Sequence, residues 1–306
     1  MWSYTLRRLL ATIPTLLAVI TVSYFLLHAA PGGPFDSERQ VSAAVLANLQ
    51  AKYHLDQPLW QQYLHYLNNL LHGDLGASFR YADWSVNDLV AAALPVSLSI
   101  GATALVLAFV IGVGLGIAAA LRQNSWADYG VMMVSNLGSV FPSFVIGPVL
   151  VLVFALWLKW LPSGGWDAFS PRFMILPVAL LTFINVATIA RVMRGSLIEV
   201  LHSNFIRTAR AKGLPTRIVV LRHALKPALL PVISLLGPLA ISSITAALVT
   251  ETIFSLPGLG KLIVNGAGNR DYTLVLGLVV LITVLAVTLN LLVDLAYAAL
   301  DPKIRY

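Results

Sequence analysis

Six long apolar stretches without a single charged residue constrain this chain more than any other feature. They cover residues 9–30, 98–121, 129–158, 173–190, 227–250 and 272–293. A helix needs about 20 apolar residues to cross roughly 30 Å of hydrocarbon, and lipid offers no partner to an unpaired backbone group. The pattern predicts an all-α membrane protein with six transmembrane helices, the first of them a permanent anchor.

Composition supports a membrane protein and narrows the chemistry. The 306 residues are 58% hydrophobic and 11% charged, whereas soluble domains carry about 25% charged residues. An ordinary soluble enzyme is therefore excluded. The chain has no cysteine, so it has no thiol nucleophile and no Cys-based metal site. The six histidines lack zinc-ligand spacing, and we assign no metal site and no catalytic residue.

The distribution of positive charge predicts the orientation of the spans. Cytoplasmic connections of membrane proteins are enriched in Lys and Arg. If the N-terminus is inside, thirteen of the twenty basic residues lie on the inner side: Arg7, Arg8, Arg122, Arg191, Arg194, Arg207, Arg210, Lys212, Arg217, Arg222, Lys226, Lys303 and Arg305. Both termini are therefore predicted to be cytoplasmic.

The first outer connection, residues 31–97, is long enough for a small external helical subdomain. Apolar and aromatic residues recur near helical spacing over residues 40–53 and 58–71, which predicts two short helices. They would cap the outer ends of the spans or dock a soluble partner. The Gly-rich segment 255–270, also outside, is expected to be either a buried re-entrant loop or a surface connector.

The connection over residues 191–226 is the most informative segment. It contains eight Lys or Arg residues and one acid, Glu199. Residues 196–212 have a broad apolar face, Gly213 can end a helix, and Pro215 can begin another. This pattern predicts a helix, a break and a second helix. The charges set topology or attract anionic lipid. The defined break at Gly213 favours a further role, as a structured surface that binds a cytoplasmic protein. A nucleic-acid partner is not supported.

Two runs in this segment resemble the coupling-loop motif of type I ABC import permeases. They are RTARAKGLP at residues 207–215 and LKPALLP at residues 225–231. Ala209 and Gly213 keep the spacing of that motif. Arg207 and Thr208 replace its leading Glu and Ala, as in the peptide-transporter subgroup, so the contact at position 207 should differ in sign from that of other subgroups.

Further runs along the chain are similar to the B-type membrane subunit of bacterial oligopeptide importers. They are LRRL at 6–9, IPTL at 13–16, APGGPF at 30–35, YHLDQP at 53–58, GDLG at 73–76, ETIFSLPGLG at 251–260, NRDY at 269–272 and DPKIRY at 301–306. The resemblance implies the type I importer permease fold. It divides the chain into residues 1–30 with the first span, the external subdomain 31–97, a five-helix core 98–300 with the coupling loop 191–226, and a tail 301–306.

The resemblance also implies a machine in which this chain is half of a pore in a bacterial inner membrane. The expected partners are a second permease, two cytoplasmic ATPases, an external peptide-binding protein, membrane lipid and a peptide substrate. The chain lacks a phosphate-binding loop, so ATP and Mg would be bound by the ATPase partners, with no cofactor in this chain. The implied ATPase-coupling residues are Arg207, Thr208, Ala209, Arg210, Lys212, Gly213, Leu214, Pro215 and Arg217.

Polar residues within spans are costly in lipid and usually face a bundle interior or water. The candidates for lining a peptide path are Asn136, Ser139, Asn185, Thr188, Ser242, Ser243, Thr245, Glu251 and Asn290. For any one of them, an interhelical hydrogen bond of about 0.6 kcal/mol is the simpler explanation. Glu251, near the outer end of the fifth span, is a hypothetical gate or interface residue.

Other functions stay open at this level. The same coupling loop would serve an importer of dipeptides, glutathione or nickel. An autonomous secondary carrier would be favoured by acids at mid-span and inverted repeats, and neither is evident. A membrane scaffold would leave the shape of the basic connection unexplained.

Overall fold

The computed structural model describes residues 2–29, 56–81, 83–167 and 170–300, with the side chains of 2–9, 244–246 and 296–300 excepted. Helices dominate these ranges, whose β-pairing consists of an isolated bridge between Ala77 and Ser85. The α-helices are α1 (Trp2–Ala29), α2 (Leu59–Leu71), α3 (Val86–Leu121), α4 (Trp126–Val140), α5 (Ser143–Leu150), α6 (Pro171–Leu201), α7 (Asn204–Ala211), α8 (Thr216–Ile218), α9 (Leu225–Ile253), α10 (Leu259–Gly268) and α11 (Tyr272–Leu300). Two π-helical segments, π1 (Val151–Trp157) and π2 (Val219–Ala224), directly follow α5 and α8.

Five of the predicted spans are continuous helices within the described residues. They have apolar windows in α1, α3, α6, the run from α8 through α9, and α11. The sixth, over residues 129–158, consists of two helical pieces, Trp126–Val140 and Ser143–Trp157, bent by 106°. Phe141 is extended at the bend, because the residue before a proline avoids the α conformation. The described residues therefore contain five or six candidate spans.

The helices α3 and α6 pack closely through small residues of α3. An added Cβ at Gly112 would lie 2.8 Å from Ile189 Cβ, and one at Gly116 would lie 2.6 Å from Met193 Cβ. An added Cβ at Gly114 would meet nothing within 4 Å. Small residues four positions apart let helix backbones approach in this way, so the glycines at 112 and 116 form the contact and Gly114 lies outside it.

The difference in packing between Gly116 and Gly114 predicts that the same substitution has different effects at the two positions. Gly116→Leu should destabilise the protein by about 1–3 kcal/mol, because overpacking forces backbones apart. Gly114→Leu, two residues away on the exposed side of the same helix, should leave stability almost unchanged. Thermal unfolding of both variants in the same detergent, followed by tryptophan fluorescence, measures the difference. Equal losses for the two variants would contradict the packing described for Gly116.

The helix α2 confirms the helix predicted over 58–71, while its companion over 40–53 lies outside the described residues. Aromatic side chains connect α2 to the first span: the Tyr24 and Tyr63 rings lie 5.2 Å apart, and those of Tyr24 and Tyr66 lie 5.7 Å apart. The hydroxyls of Thr21 and Tyr63 are hydrogen-bonded at 2.6 Å. Burial raises the pKa of Tyr66, and Tyr24 adds to the effect. These contacts favour the capping role for α2.

The Gly-rich segment 255–270 contains the helix α10, Leu259–Gly268. Leu259, Gly260 and Gly266 are buried, and α10 packs against α3, α9 and α11. The buried residues in the middle of the segment favour the buried alternative over a surface connector, and the structure there is helical, whereas residues 267–270 are exposed. Small residues are required here because an added Cβ at Gly260 would run into the backbone of Leu248 in α9.

Candidate coupling surface and translocation path

The basic connection between α6 and α9 is anchored by a few buried apolar residues. In α7, Ile206 is fully buried and Ala209 is 7% exposed. They join an apolar cluster with Met193 and Leu197 of α6 and Val219 of π2. This packing fixes α7 firmly to the two helices that flank the connection.

The connection differs from its prediction in two places. One helix over 196–212 was expected, but α6 runs on to Leu201, and α7 starts after a break at His202 and Ser203. Ser203 Oγ donates a hydrogen bond to the Val200 carbonyl at 2.6 Å, an alternative partner that competes with helix continuation. The second piece is not a separate helix, because α8, π2 and α9 follow one another without a gap.

The predicted break at Gly213 is confirmed. Gly213 has a φ of +77°, which glycine adopts with little cost, and its amide donates to the Arg210 carbonyl at 2.9 Å. An added Cβ would meet nothing within 4 Å. Glycine is thus needed for its backbone conformation rather than for space. Pro215 then caps α8, where its carbonyl accepts from Ile218 and Val219.

A basic surface with an apolar centre results from this arrangement. We define the basic surface by its exposed side chains, Phe205, Arg207, Arg210, Lys212, Arg217, Ile218 and Leu221. Thr208 is exposed next to it and donates to the Asn204 carbonyl at 3.1 Å. Leu214 is half-buried and packs on the anchoring cluster. An exposed cationic rim around exposed apolar side chains, held on a rigid base, is suited to bind another protein.

The nine path candidates do not form one group. Asn185 and Ser243 are buried and bond to each other, with Asn185 Nδ2 donating to Ser243 Oγ at 2.9 Å, so they connect α6 to α9. Asn136, Ser139, Ser242 and Asn290 are exposed, and Thr188 is half-buried. Asn290 lines a small cavity between α1 and α11 with Thr15 and Asp294. Thr245 lies in α9, and its side chain is outside the described residues.

Glu251 is a buried connector among three helices. It is 1% exposed. Ser97 Oγ of α3 donates to Glu251 Oε1 at 2.5 Å, and the amides of Gly260 and Lys261 donate to Oε2 at 2.7 and 3.2 Å. Ser97 Oγ also accepts from the Leu259 amide at 2.8 Å. With these donors around it, Glu251 caps the start of α10 and does not line an open path in this structure.

Three polar contacts escaped the sequence analysis. Asp128 of α4, 1% exposed, accepts two hydrogen bonds from Arg194 of α6 at 2.5 and 2.6 Å. The buried carboxylate of Asp271 accepts from Ser78 Oγ and from the Phe79 and Leu274 amides. Arg191 of α6 contacts α4. Apart from Leu274, which is three positions from Asp271, the partners are 52 or more positions apart in the sequence. Periodicity therefore gives no signal for these pairings.

The described residues thus combine long apolar helices with a basic connection that is anchored by buried residues and exposed elsewhere. The family model for the inner membrane component of binding-protein-dependent transport systems matches residues 112–306, and the model for the N-terminal part of such components matches residues 1–101. The chain belongs to this family.

Individual relatives are similar over the whole chain. The oligopeptide transport system permease proteins OppB of Salmonella typhimurium and Haemophilus influenzae are each 56% identical over 306 residues, which is 100% of both chains. The dipeptide transport system permease protein DppB of Bacillus subtilis is 42% identical over 302 residues, 99% of this chain and 97% of that protein.

A solved structure supports the fold. A chain of the MetNI methionine ABC transporter, in an inward-facing conformation, matches with a TM-score of 0.60 at 18% identity, over 70% of this chain and 96% of that chain. The type I ABC importer permease fold expected from the sequence is thus supported over most of the described helices.

Proposed function

We propose that the chain is one of two membrane subunits of an ATP-driven importer and forms half of its path for oligopeptides. The observation that carries the proposal is the 56% identity over the full chain to permease proteins of oligopeptide transport systems. The anchored basic surface adds a physical reason, because a subunit without a nucleotide site needs a rigid contact with the subunit that hydrolyses ATP.

In this proposal the basic surface sits in a cleft of a cytoplasmic ATPase. Ile206 and Ala209 join α7 to a cluster that includes Met193 and Leu197 of α6 and Val232 of α9. A push on α7 would therefore move the inner ends of two spans together. Closely packed elements switch between discrete arrangements rather than deform continuously, so ATPase closure would become rigid-body motion of the spans.

The other subunits of the proposed importer supply what this chain lacks. A second, similar permease would complete the path, two ATPases would bind ATP and Mg, and an external binding protein would deliver the peptide at the side where α2 and α10 lie. Both termini would be cytoplasmic in a bacterial inner membrane, in agreement with the excess of basic residues in the inner connections. Cargo specificity would reside mainly in the binding protein.

An importer of dipeptides is the second candidate cargo class, and the 42% identity to a dipeptide permease favours it over glutathione or nickel. The difference from the proposal is confined to cargo. Both need the same coupling through residues 207–217.

The test is purification of the tagged chain from its native membrane in mild detergent, with mass spectrometry of the proteins that remain bound. We expect a second permease and ATPase subunits in stoichiometric amounts. A charge-reversed variant, Arg207→Glu with Arg210→Glu, should keep the second permease and lose the ATPases. Recovery of the chain alone, after cross-linking has prevented detergent stripping, would contradict the proposal.

A further inference from the structure

Arg191 of α6 is held along one edge by three oxygens of α4. Its Nη2 donates to the Ser135 carbonyl at 3.2 Å, to Asn136 Oδ1 at 3.3 Å and to Ser139 Oγ at 2.9 Å. All three acceptors are neutral. Among the described residues, Asp128 of α4 pairs with Arg194, three positions further along α6, and Arg191 has no ion pair. The positive charge of Arg191 is therefore uncompensated within the described part of the chain.

The three acceptors of Arg191 belong to a predicted span. Ser135, Asn136 and Ser139 lie within the charge-free apolar stretch over residues 129–158. A charged group in contact with span residues is costly in lipid and usually faces a bundle interior or a water-filled pathway.

The other edge of the guanidinium is free to bind a ligand. The side chains of Arg191, Asn136 and Ser139 are exposed, and Arg191 Nε and Nη1 have no acceptor among the described residues. A guanidinium presents its donors in a planar fork that matches the two oxygens of a carboxylate. With Nη2 already fixed by α4, the side chain is oriented before a ligand arrives, which lowers the entropic cost of binding.

An apolar face of α4 lies next to this polar cluster. It carries Tyr129, Met132, Met133, Asn136, Leu137 and Val140. Methionine side chains are flexible and adapt to apolar partners of different shape. A fixed cation beside an adaptable apolar face fits a ligand that has a constant carboxylate and a variable side chain.

We propose that Arg191, with Asn136 and Ser139, binds the C-terminal carboxylate of the peptide during its passage. The inference rests on the proposed function. Every linear peptide with a free C-terminus carries this group, so the contact would serve cargo of any sequence. The contacts of Arg191 with residues of a predicted span favour the peptide over a lipid phosphate, whose place is the headgroup layer.

The test uses the whole transporter with its binding protein in proteoliposomes. Uptake is measured for one radiolabelled peptide as the free acid and as the C-terminal amide, in the wild type, Arg191→Gln and Arg191→Lys. The ratio of acid to amide uptake is compared between variants, so that any preference of the binding protein cancels. Arg172→Gln, at the opposite end of α6, is the matched control.

We expect Arg191→Gln to lower this ratio about five- to ten-fold, because it removes a charge-assisted hydrogen bond. Arg191→Lys should keep most of the ratio, and Arg172→Gln should keep all of it. An equal loss for both peptides, or no loss, would overturn the inference. So would an unchanged ratio together with loss of co-purified anionic lipid, which would assign the site to a lipid phosphate. Absence of uptake of either peptide by the wild type would instead count against the proposed function.

Discussion

Replacement of Glu251 by alanine is expected to destabilise the folded chain by about 3 kcal/mol or more. The carboxylate accepts from Ser97 Oγ and from the amides of Gly260 and Lys261 in a site that is closed to solvent. Alanine would leave these donors buried without a partner, at about 1–3 kcal/mol for each. It would also leave a cavity at the junction of α3, α9 and α10, whose lining cannot collapse fully.

The matched control is Glu251→Gln, which keeps the shape of the side chain. Its carbonyl oxygen can still accept from the Gly260 and Lys261 amides, and its amino group can face Ser97 Oγ. We expect Glu251→Gln to lose less than half of what Glu251→Ala loses. Thermal unfolding in detergent measures both variants. If the alanine variant is as stable as the wild type, Glu251 does not connect the three helices as described. The hypothesis that Glu251 acts as a gate would then be favoured.

Replacement of Gly213 by proline is expected to uncouple ATP hydrolysis from peptide uptake. Proline fixes φ near −65°, whereas Gly213 has a φ of +77°. Proline also lacks the amide hydrogen that donates to the Arg210 carbonyl. The break would change direction, and the basic surface would no longer present Arg210 and Arg217 together. Insertion should be intact, because the anchors Ile206 and Ala209 are untouched.

Peptide uptake and ATP hydrolysis in proteoliposomes measure the effect. We expect Gly213→Pro to lower the number of peptides taken up per ATP by at least about ten-fold. The control is Gly213→Asn, because asparagine tolerates a positive φ, and its coupling should stay close to that of the wild type. Unchanged uptake by a folded proline variant would reject this role for Gly213.

Local patterns in the sequence were sufficient for much of the fold. Apolar length alone predicted the spans α1, α3, α6, α9 and α11, because backbone groups in lipid must be paired within a helix. The break at Gly213 was also predictable, since positive φ and proline restrict the chain through local sterics. The same is true of α2, whose aromatic and apolar residues recur at helical spacing.

Other features depend on contacts between distant parts of the chain. Periodicity over 196–212 suggested one helix, but Ser203 and the packing of Ile206 favour a break that no local propensity dictates. The sequence does not determine the bend of 106° after Val140, because Pro142 permits a bend without fixing its angle. Proline marks the place, and packing of α5 against α6 and α9 determines the direction.

The same distinction between local patterns and distant contacts applies to the candidate site. The basic surface is local, so its residues could be chosen from one segment. The path candidates were chosen by polarity, which does not say which side chains pair. Asn185 thus turned out to bond with Ser243, 58 positions away, and Arg191 was not selected because it follows an apolar stretch and resembles a topology signal.

The most direct test of the central claim is reconstitution of the chain with its co-purified partners and binding protein in proteoliposomes. The claim is that this chain forms half of an ATP-driven oligopeptide path. The account predicts accumulation of labelled oligopeptide against its gradient that requires ATP, the binding protein and this chain together. Accumulation driven by an ion or proton gradient without ATP, or undiminished uptake when this chain is omitted, would contradict it.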